Sequence, residues 1–221
     1  MNISISQENY LKSILKLEAS EGVATNQALA QNMESTPAAV TGMLRKLMKE
    51  GLIEYEAYHG ARLTERGKHH ALLTIRKHRL WEVFLVEKLN FPWDSVHSLA
   101  EELEHVGDEA FVNRLDEFLN HPVFDPHGDP IPDAKGVMRE RPNLVPSNVA
   151  EVGDSFVVCG VVDSSSEFLR HLNQLGVKLG KSFQVYKRYA FDGSTEWKGN
   201  QGRLVTLSSH VSEKILIQLR S

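Results

Sequence analysis

Apolar residues return at helical spacing from residue 7 to 20, where Tyr10, Ile14 and Leu17 repeat with Leu11 and Leu15 beside them and Gly22 closes the segment. A short second helix is expected over 25–33, with Thr25 as its N-cap. A third begins at Thr36 and Pro37, a cap and a residue suited to the first helical position, and stops at Gly51. Residues 52–55 then read as a strand, His59 and Gly60 as a turn, 62–63 as a second short strand, and Thr64 as the cap of a new helix. Helix, short helix, helix and two-stranded ribbon, in that order, is the pattern of a winged helix-turn-helix.

Downstream, residues 64–92 form one long helix or a helix with a break, followed by amphipathic helices over 94–106 and 108–120. Trp81, Phe84, Leu85 and Leu89 are core or dimer-contact residues of the first of these. Residues 121–148 hold six of the eight prolines and read as a linker containing the turn DPHGDPIP. Beyond 151 the pattern changes to strands (DSFVVCGVV, KSFQVYKRY, RLVTLS) around one short helix, SSSEFLRHLNQLG, which fits a small, partly open β-barrel. The fold class is therefore mainly α with a small β domain. The expected division is a winged helix-turn-helix over 1–70, a helical dimerisation and metal-binding domain over 71–135, a linker over 136–150 and an SH3-like domain over 151–221.

The chain has 221 residues, 41% of them hydrophobic and 24% charged, which suits two or three soluble domains. No apolar run is long enough to span a bilayer, and the start MNISISQENY has neither a basic nor an apolar leader region, so a cytoplasmic protein with no membrane association is expected. The single cysteine, Cys159, reads as a buried strand thiol and excludes a disulfide framework.

A net charge of −4 does not announce a polyanion partner, but its distribution does. Residues 36–80 carry nine basic and four acidic residues, while 94–133 carry one arginine, eleven acids and four histidines. In the third helix Val40, Met43, Leu44 and Leu47 make a core stripe. Its first turn presents Thr36, Pro37, Ala38, Ala39, Thr41 and Gly42, small enough to enter a major groove. Arg45, Lys46 and Lys49 at the far end, and Arg62 in the wing, are phosphate contacts or solvated surface charges. Readers of this type usually meet two half-sites, so a homodimer on palindromic double-stranded DNA follows.

His97, Glu101, Glu104 and His105 are spaced 0, 4, 7 and 8 along VHSLAEELEHV, which puts them on one side of a helix. His78 and Glu82 repeat the histidine-to-acid offset of four on the preceding helix. Imidazole and carboxylate without sulfur suit Mn(II) or Fe(II). The alternative is an ordinary solvated helix face.

The motifs ENYLKSILKL, STPAAVTGMLRKLMKEGLIEYE, RKHRLWEVFL, VHSLAEELEHV and PVFDPHGDPIP together resemble the diphtheria-toxin-repressor family of metal-dependent transcriptional regulators, in its manganese- and iron-responsive branch with a C-terminal SH3-like (FeoA-like) domain. The resemblance implies a DNA-binding regulator, most often a repressor of metal-uptake genes, that senses Mn(II) or Fe(II) and is not an enzyme. It implies a primary site of Asn9, His78, Glu101, Glu104 and His105. Asn9 stands where the family often has Asp or Met, and Lys12 stands where some manganese regulators have an acid. It implies a second site of Glu82, Asp125, His127 and Asp163, with His97 and Glu167 as alternative ligands. Two other readings stand beside this one: a winged-helix regulator answering to another ligand, and a helical-bundle metalloenzyme.

Overall fold

The structure, a computed structural model, describes residues 3–56, 59–140 and 143–220. Its helices are α1 (Ile5–Glu21), α2 (Asn26–Asn32), α3 (Pro37–Lys49), α4 (Glu65–Glu87), α5 (Val96–Leu103), α6 (Glu109–Phe118), α7 (Ser166–Leu175) and α8 (Ser209–Glu213). The strands are β1 (Ile53–Glu56), β2 (Gly60–Leu63), β3 (Val145–Pro146), β4 (Ser155–Val161), β5 (Ser182–Arg188), β6 (Thr195–Gly199), β7 (Leu204–Leu207) and β8 (Ile215–Leu219). Among the described residues no helix is long and apolar enough to cross a membrane.

The chain divides into two compact units. One comprises Met1–Trp81, Glu101–Asn120 and Ile131–Arg139; the other comprises Glu82–Ala100, His121–Pro130 and Glu140–Ser221. In the first, Tyr10, Leu11, Ile14 and Leu17 of α1, Leu29 of α2, and Val40, Leu44 and Leu47 of α3 share one core with Leu52, Ile53 and Ala61 of the ribbon. The expected caps form. Thr25 accepts from the Ala28 amide and Thr36 from the Ala39 amide, with Pro37 at the helix start. β1 and β2 pair antiparallel, Ile53 opposite Leu63, although Ala57 and Tyr58 of the wing turn lie outside the described residues. α1 starts earlier than its apolar period suggests. Ser4 caps it through a capping box with Gln7, two polar residues that periodicity does not register.

The next two helices differ from expectation in their bounds. Residues 65–87 form one unbroken helix. The helix expected over 94–106 ends at Leu103, so Glu104 and His105 lie in the turn that follows rather than on a four-residue stripe. Gly107 closes that turn: its φ is +87°, and a β-carbon there would come within 2.4 Å of the Phe111 ring.

The second unit holds a six-stranded antiparallel sheet in the order β3-β8-β4-β5-β6-β7. Trp197, fully buried, sits edge-on to Phe156 at 4.8 Å and against Phe183 at 5.5 Å. β6 and β8 escaped the sequence reading, as did the pairing of Val145 and Pro146 with β8 at the end of the proline-rich segment. Cys159 is in β4 as expected but only half-buried. The DPHGDPIP turn is tied to β4: the Val161 amide donates to the His127 carbonyl at 3.0 Å. Gly128 (φ +88°) lies so close to the Cys159 carbonyl that a β-carbon would sit 2.2 Å from it.

Candidate metal centre and nucleic-acid surface

Glu104 is the anchor of the first cluster. Its side chain has no exposed surface, and each oxygen has a cationic or imidazole partner: Lys12 Nζ at 2.7 Å from Oε1 and His78 Nδ1 at 2.7 Å from Oε2. Burial pushes this carboxyl's pKa up, but the His78 hydrogen bond and the Lys12 ammonium outweigh it and hold the group below the usual carboxylate range. A buried carboxylate without such partners would be costly. Lys12 also lies 3.6 Å from Glu101, whose side chain is half exposed.

His105 is oriented by a residue the sequence reading did not single out. Its Nδ1 is 2.6 Å from Glu8 Oε2, and Glu8 Oε1 in turn accepts from Lys77 at 3.1 Å. The carboxylate accepts, so Nδ1 carries the proton and Nε2, 3.7 Å from Glu104 Oε1, is the ring atom left to bind a cation. Asn9 is next to Glu8 on α1 and three residues before Lys12. Its Oδ1 is buried and has no hydrogen-bond partner. One helix thus offers an unpaired amide oxygen between the residue that holds His105 and the residue that holds Glu104.

The second cluster lies in the other unit. Ligand atoms of Glu82, Asp125 and His127, all buried, fall within 4.8 Å of one another. His127 Nε2 donates to the Trp93 carbonyl at 2.8 Å, which turns Nδ1 toward Glu82 Oε2 at 3.6 Å, and the Trp93 ring stacks on the imidazole. Asp125 Oδ1 accepts from the amides of His127 and Asp129, closing the turn around its own side chain. Burial alone would lower the His127 pKa. The hydrogen bond and charge of Glu82, with Asp125 and the Trp93 carbonyl, push it up to about 9. Of the other candidates, exposed His97 lies 3.2 Å from Glu82 Oε1. Glu167 is exposed in the first turn of α7. Asp163 is bound elsewhere: Lys214 at 2.6 Å draws its pKa down to about 2, and it also accepts from the Ser165 amide.

At the reader helix, Thr36, Pro37, Ala38, Ala39, Arg45, Lys46 and Lys49 are exposed, as is Arg62 on β2. Thr41 is half-buried, and its hydroxyl is occupied, donating to the Pro37 carbonyl and accepting from Asn26 Nδ2, each at 2.9 Å. It fastens α2 to α3. The α1 segment near the first cluster connects to this helix through buried Gln7, whose Nε2 donates at 2.6 Å to Glu50, the C-cap of α3.

Residues 2–61 match the N-terminal DNA-binding domain of the iron-dependent repressors, 64–133 their metal-binding and dimerisation domain, and 148–219 the FeoA domain. The HTH-type transcriptional regulator MntR of Oceanobacillus iheyensis is 30% identical over 140 residues, 63% of this chain and 93% of that protein. The chain belongs to the iron-dependent repressor family. The iron-dependent repressor IdeR of Mycobacterium tuberculosis is 36% identical over 126 residues, 57% of this chain, and the chain spans about half (54%) of that relative's length. A manganese-dependent transcriptional repressor in complex with manganese superposes with a TM-score of 0.83 at 30% identity, covering 97% of this chain and 100% of that one.

Within this iron-dependent repressor family member, two residues near the first cluster escaped the sequence reading. Glu8 carries the histidine-positioning contact and Gln7 the link to α3. A signal existed for Glu8: it lies four residues before Lys12, on the same face of α1.

Proposed function

We propose that this chain is a cytoplasmic transcriptional repressor, activated by Mn(II) or Fe(II), that binds operator DNA as a homodimer. The observation that carries this reading is the meeting of His78 and His105 on the buried Glu104 carboxylate, with Asn9, three residues before Lys12 on α1, keeping a buried Oδ1 that has no hydrogen-bond partner. Two imidazoles, two carboxylates and an amide oxygen form a hard, sulfur-free donor set that fits Mn(II) or Fe(II). Asn9, His78, Glu101, Glu104 and His105 would hold the regulatory ion, and Glu82, Asp125 and His127 a second one. Residues 1–70, 71–135 and 151–221 serve as reader, regulatory dimerisation domain and SH3-like module, joined over 136–150.

The ion supplies positive charge where acidic groups from separate elements meet. The rest of the mechanism belongs to the protein. Asn9 is on α1, His78 on α4, and Glu104 and His105 on the turn after α5, so engaging all of them fixes α1 against the regulatory helices. Gln7 passes that constraint to Glu50 at the end of α3. Two copies with α3 so fixed can present recognition helices about one turn of B-DNA apart, roughly 34 Å. The signal acts only through its preference for the DNA-competent arrangement.

The test is fluorescence anisotropy of chelator-stripped protein on its own upstream DNA, with and without Mn(II) or anaerobic Fe(II). At least tenfold tighter binding with metal is expected. Tight binding that ignores metal would leave a winged-helix regulator of another kind.

A further inference from the structure

The Lys12 ammonium stands inside the acidic cluster, against the carboxylate of Glu104, which has no exposed surface. Its Nζ is 2.7 Å from Glu104 Oε1 and 3.6 Å from Glu101 Oε1, while His78 occupies Glu104 Oε2. We propose that Lys12 is the resident counter-cation of this centre: it holds Glu104 in the metal-free protein, yields Oε1 to an entering divalent ion, and so sets the metal concentration at which the chain responds. This rests on the metal-site reading above.

Three features support an exchange of cations over a permanent salt bridge. Glu104 is too buried to stay ionised alone, so without metal it either faces a cation, as it does in Lys12, or takes up a proton. Lys12 is not buried to the same degree; about a quarter of its side chain is exposed, and its flexible stem can carry the ammonium out to water. The helix that carries Lys12 also keeps a buried oxygen donor with no hydrogen-bond partner, Asn9 Oδ1, about one turn earlier. Lysine at position 12 therefore shields the acids without using every donor, and an ion gains Asn9 as it takes Oε1.

Displacing a bound ammonium, and then keeping a positive charge nearby, weakens uptake of a divalent cation. With charges a few ångströms apart in partly screened surroundings, removing Lys12 strengthens binding roughly 10- to 100-fold. Charge at position 12, more than shape, sets the effect, so arginine should behave like lysine.

The test is calorimetric titration of Mn(II) into chelator-stripped, full-length protein carrying His127→Ala to silence the second cluster, with Lys12→Met, Lys12→Gln or Lys12→Arg added. Thermal melts confirm that each variant folds. The proposal expects Lys12→Met and Lys12→Gln to bind Mn(II) at least tenfold more tightly than their parent, and Lys12→Arg to stay within about threefold of it. It further expects the neutral variants to melt lower than the parent without metal and to recover with saturating Mn(II). Unchanged or weaker Mn(II) binding by both neutral variants overturns the proposal while leaving the metal site standing. If adding Glu104→Gln to the His127→Ala parent leaves Mn(II) uptake unaltered, the ion is bound elsewhere, and both the site and the proposal fall.

Discussion

Replacing Glu104 by glutamine keeps the shape of the side chain and removes the charge that two groups face. At 2.7 Å, the Lys12–Glu104 attraction is worth about 6 kcal/mol gross at an effective dielectric constant of 20. Desolvating a carboxylate that has no exposed surface cancels several kcal/mol of this. Breaking a buried pair by changing one partner typically costs about 3–5 kcal/mol. Lys12 can turn to solvent and the amide oxygen can still accept, so about 2–3 kcal/mol is expected here, or a fall in Tm of roughly 4–12 °C for a chain of this size. The pH dependence has a definite sign. The carboxyl is held below its ordinary 4.5, so its stabilisation is present above that value and is lost as pH falls through the lower, folded-state pKa. The deficit of Glu104→Gln should therefore be full at pH 7 and vanish in acid. Saturating Mn(II) at 100 times its Kd at the first cluster should stabilise the wild type by about 2.7 kcal/mol there and the variant much less. Differential scanning calorimetry at several pH values, with and without Mn(II), reads all three effects. Equal melting of the two metal-free proteins at pH 7, or equal stabilisation of both by Mn(II), would refute the reasoning.

Asn9→Ala should leave metal-free stability within about 0.5 kcal/mol of wild type, because Oδ1 has no partner to lose, yet weaken Mn(II) binding about tenfold or more; matched melts and titrations check this, and unaltered Mn(II) affinity would remove Asn9 from the site. His127, with its pKa raised to about 9, stabilises the fold fully below 6.5 and loses that contribution as pH rises through about 9. Metal uptake there must expel its proton, so calorimetry at pH 7.5 in buffers of different ionisation enthalpy should show about one proton released at that site, and His127→Ala should abolish it. Lys46→Ala and Arg62→Ala should each weaken metal-activated DNA binding without regard to sequence and lower the slope of log K against log salt by about 1; an unchanged slope would remove that residue from the phosphate contacts.

The reader domain was the most legible part of the sequence, because its caps and its apolar period agree. Thr36, Pro37 and the Val40–Leu44–Leu47 stripe fall where expected. The candidate metal centre was legible as a list of residues and less so as geometry. Glu104 and His105 fit a helical stripe on paper, but α5 ends at Leu103, and the turn that leads to Gly107 aims them instead. Spacing along one helix also says nothing about what another helix brings. Lys12 and Glu8 are separated from Glu104 and His105 by more than 90 positions, and only the tertiary fold makes them neighbours. Asp163 shows the converse: a residue type suited to a hard cation, yet held by Lys214, a lysine 51 residues later. β6 and β8 were missed because β6 alternates Glu196 and Lys198 with Trp197, and because β8 follows α8 with only one residue between them.

The central claim is that an ion held by the Asn9, His78, Glu101, Glu104 and His105 cluster governs DNA binding. The most direct test compares wild type, Glu104→Gln and His127→Ala on the upstream DNA by fluorescence anisotropy across a Mn(II) titration. The account predicts that wild type and His127→Ala both respond to Mn(II), and that Glu104→Gln stays at its metal-free affinity throughout. A Glu104→Gln protein that tightens on DNA with the wild-type Mn(II) dependence would contradict it.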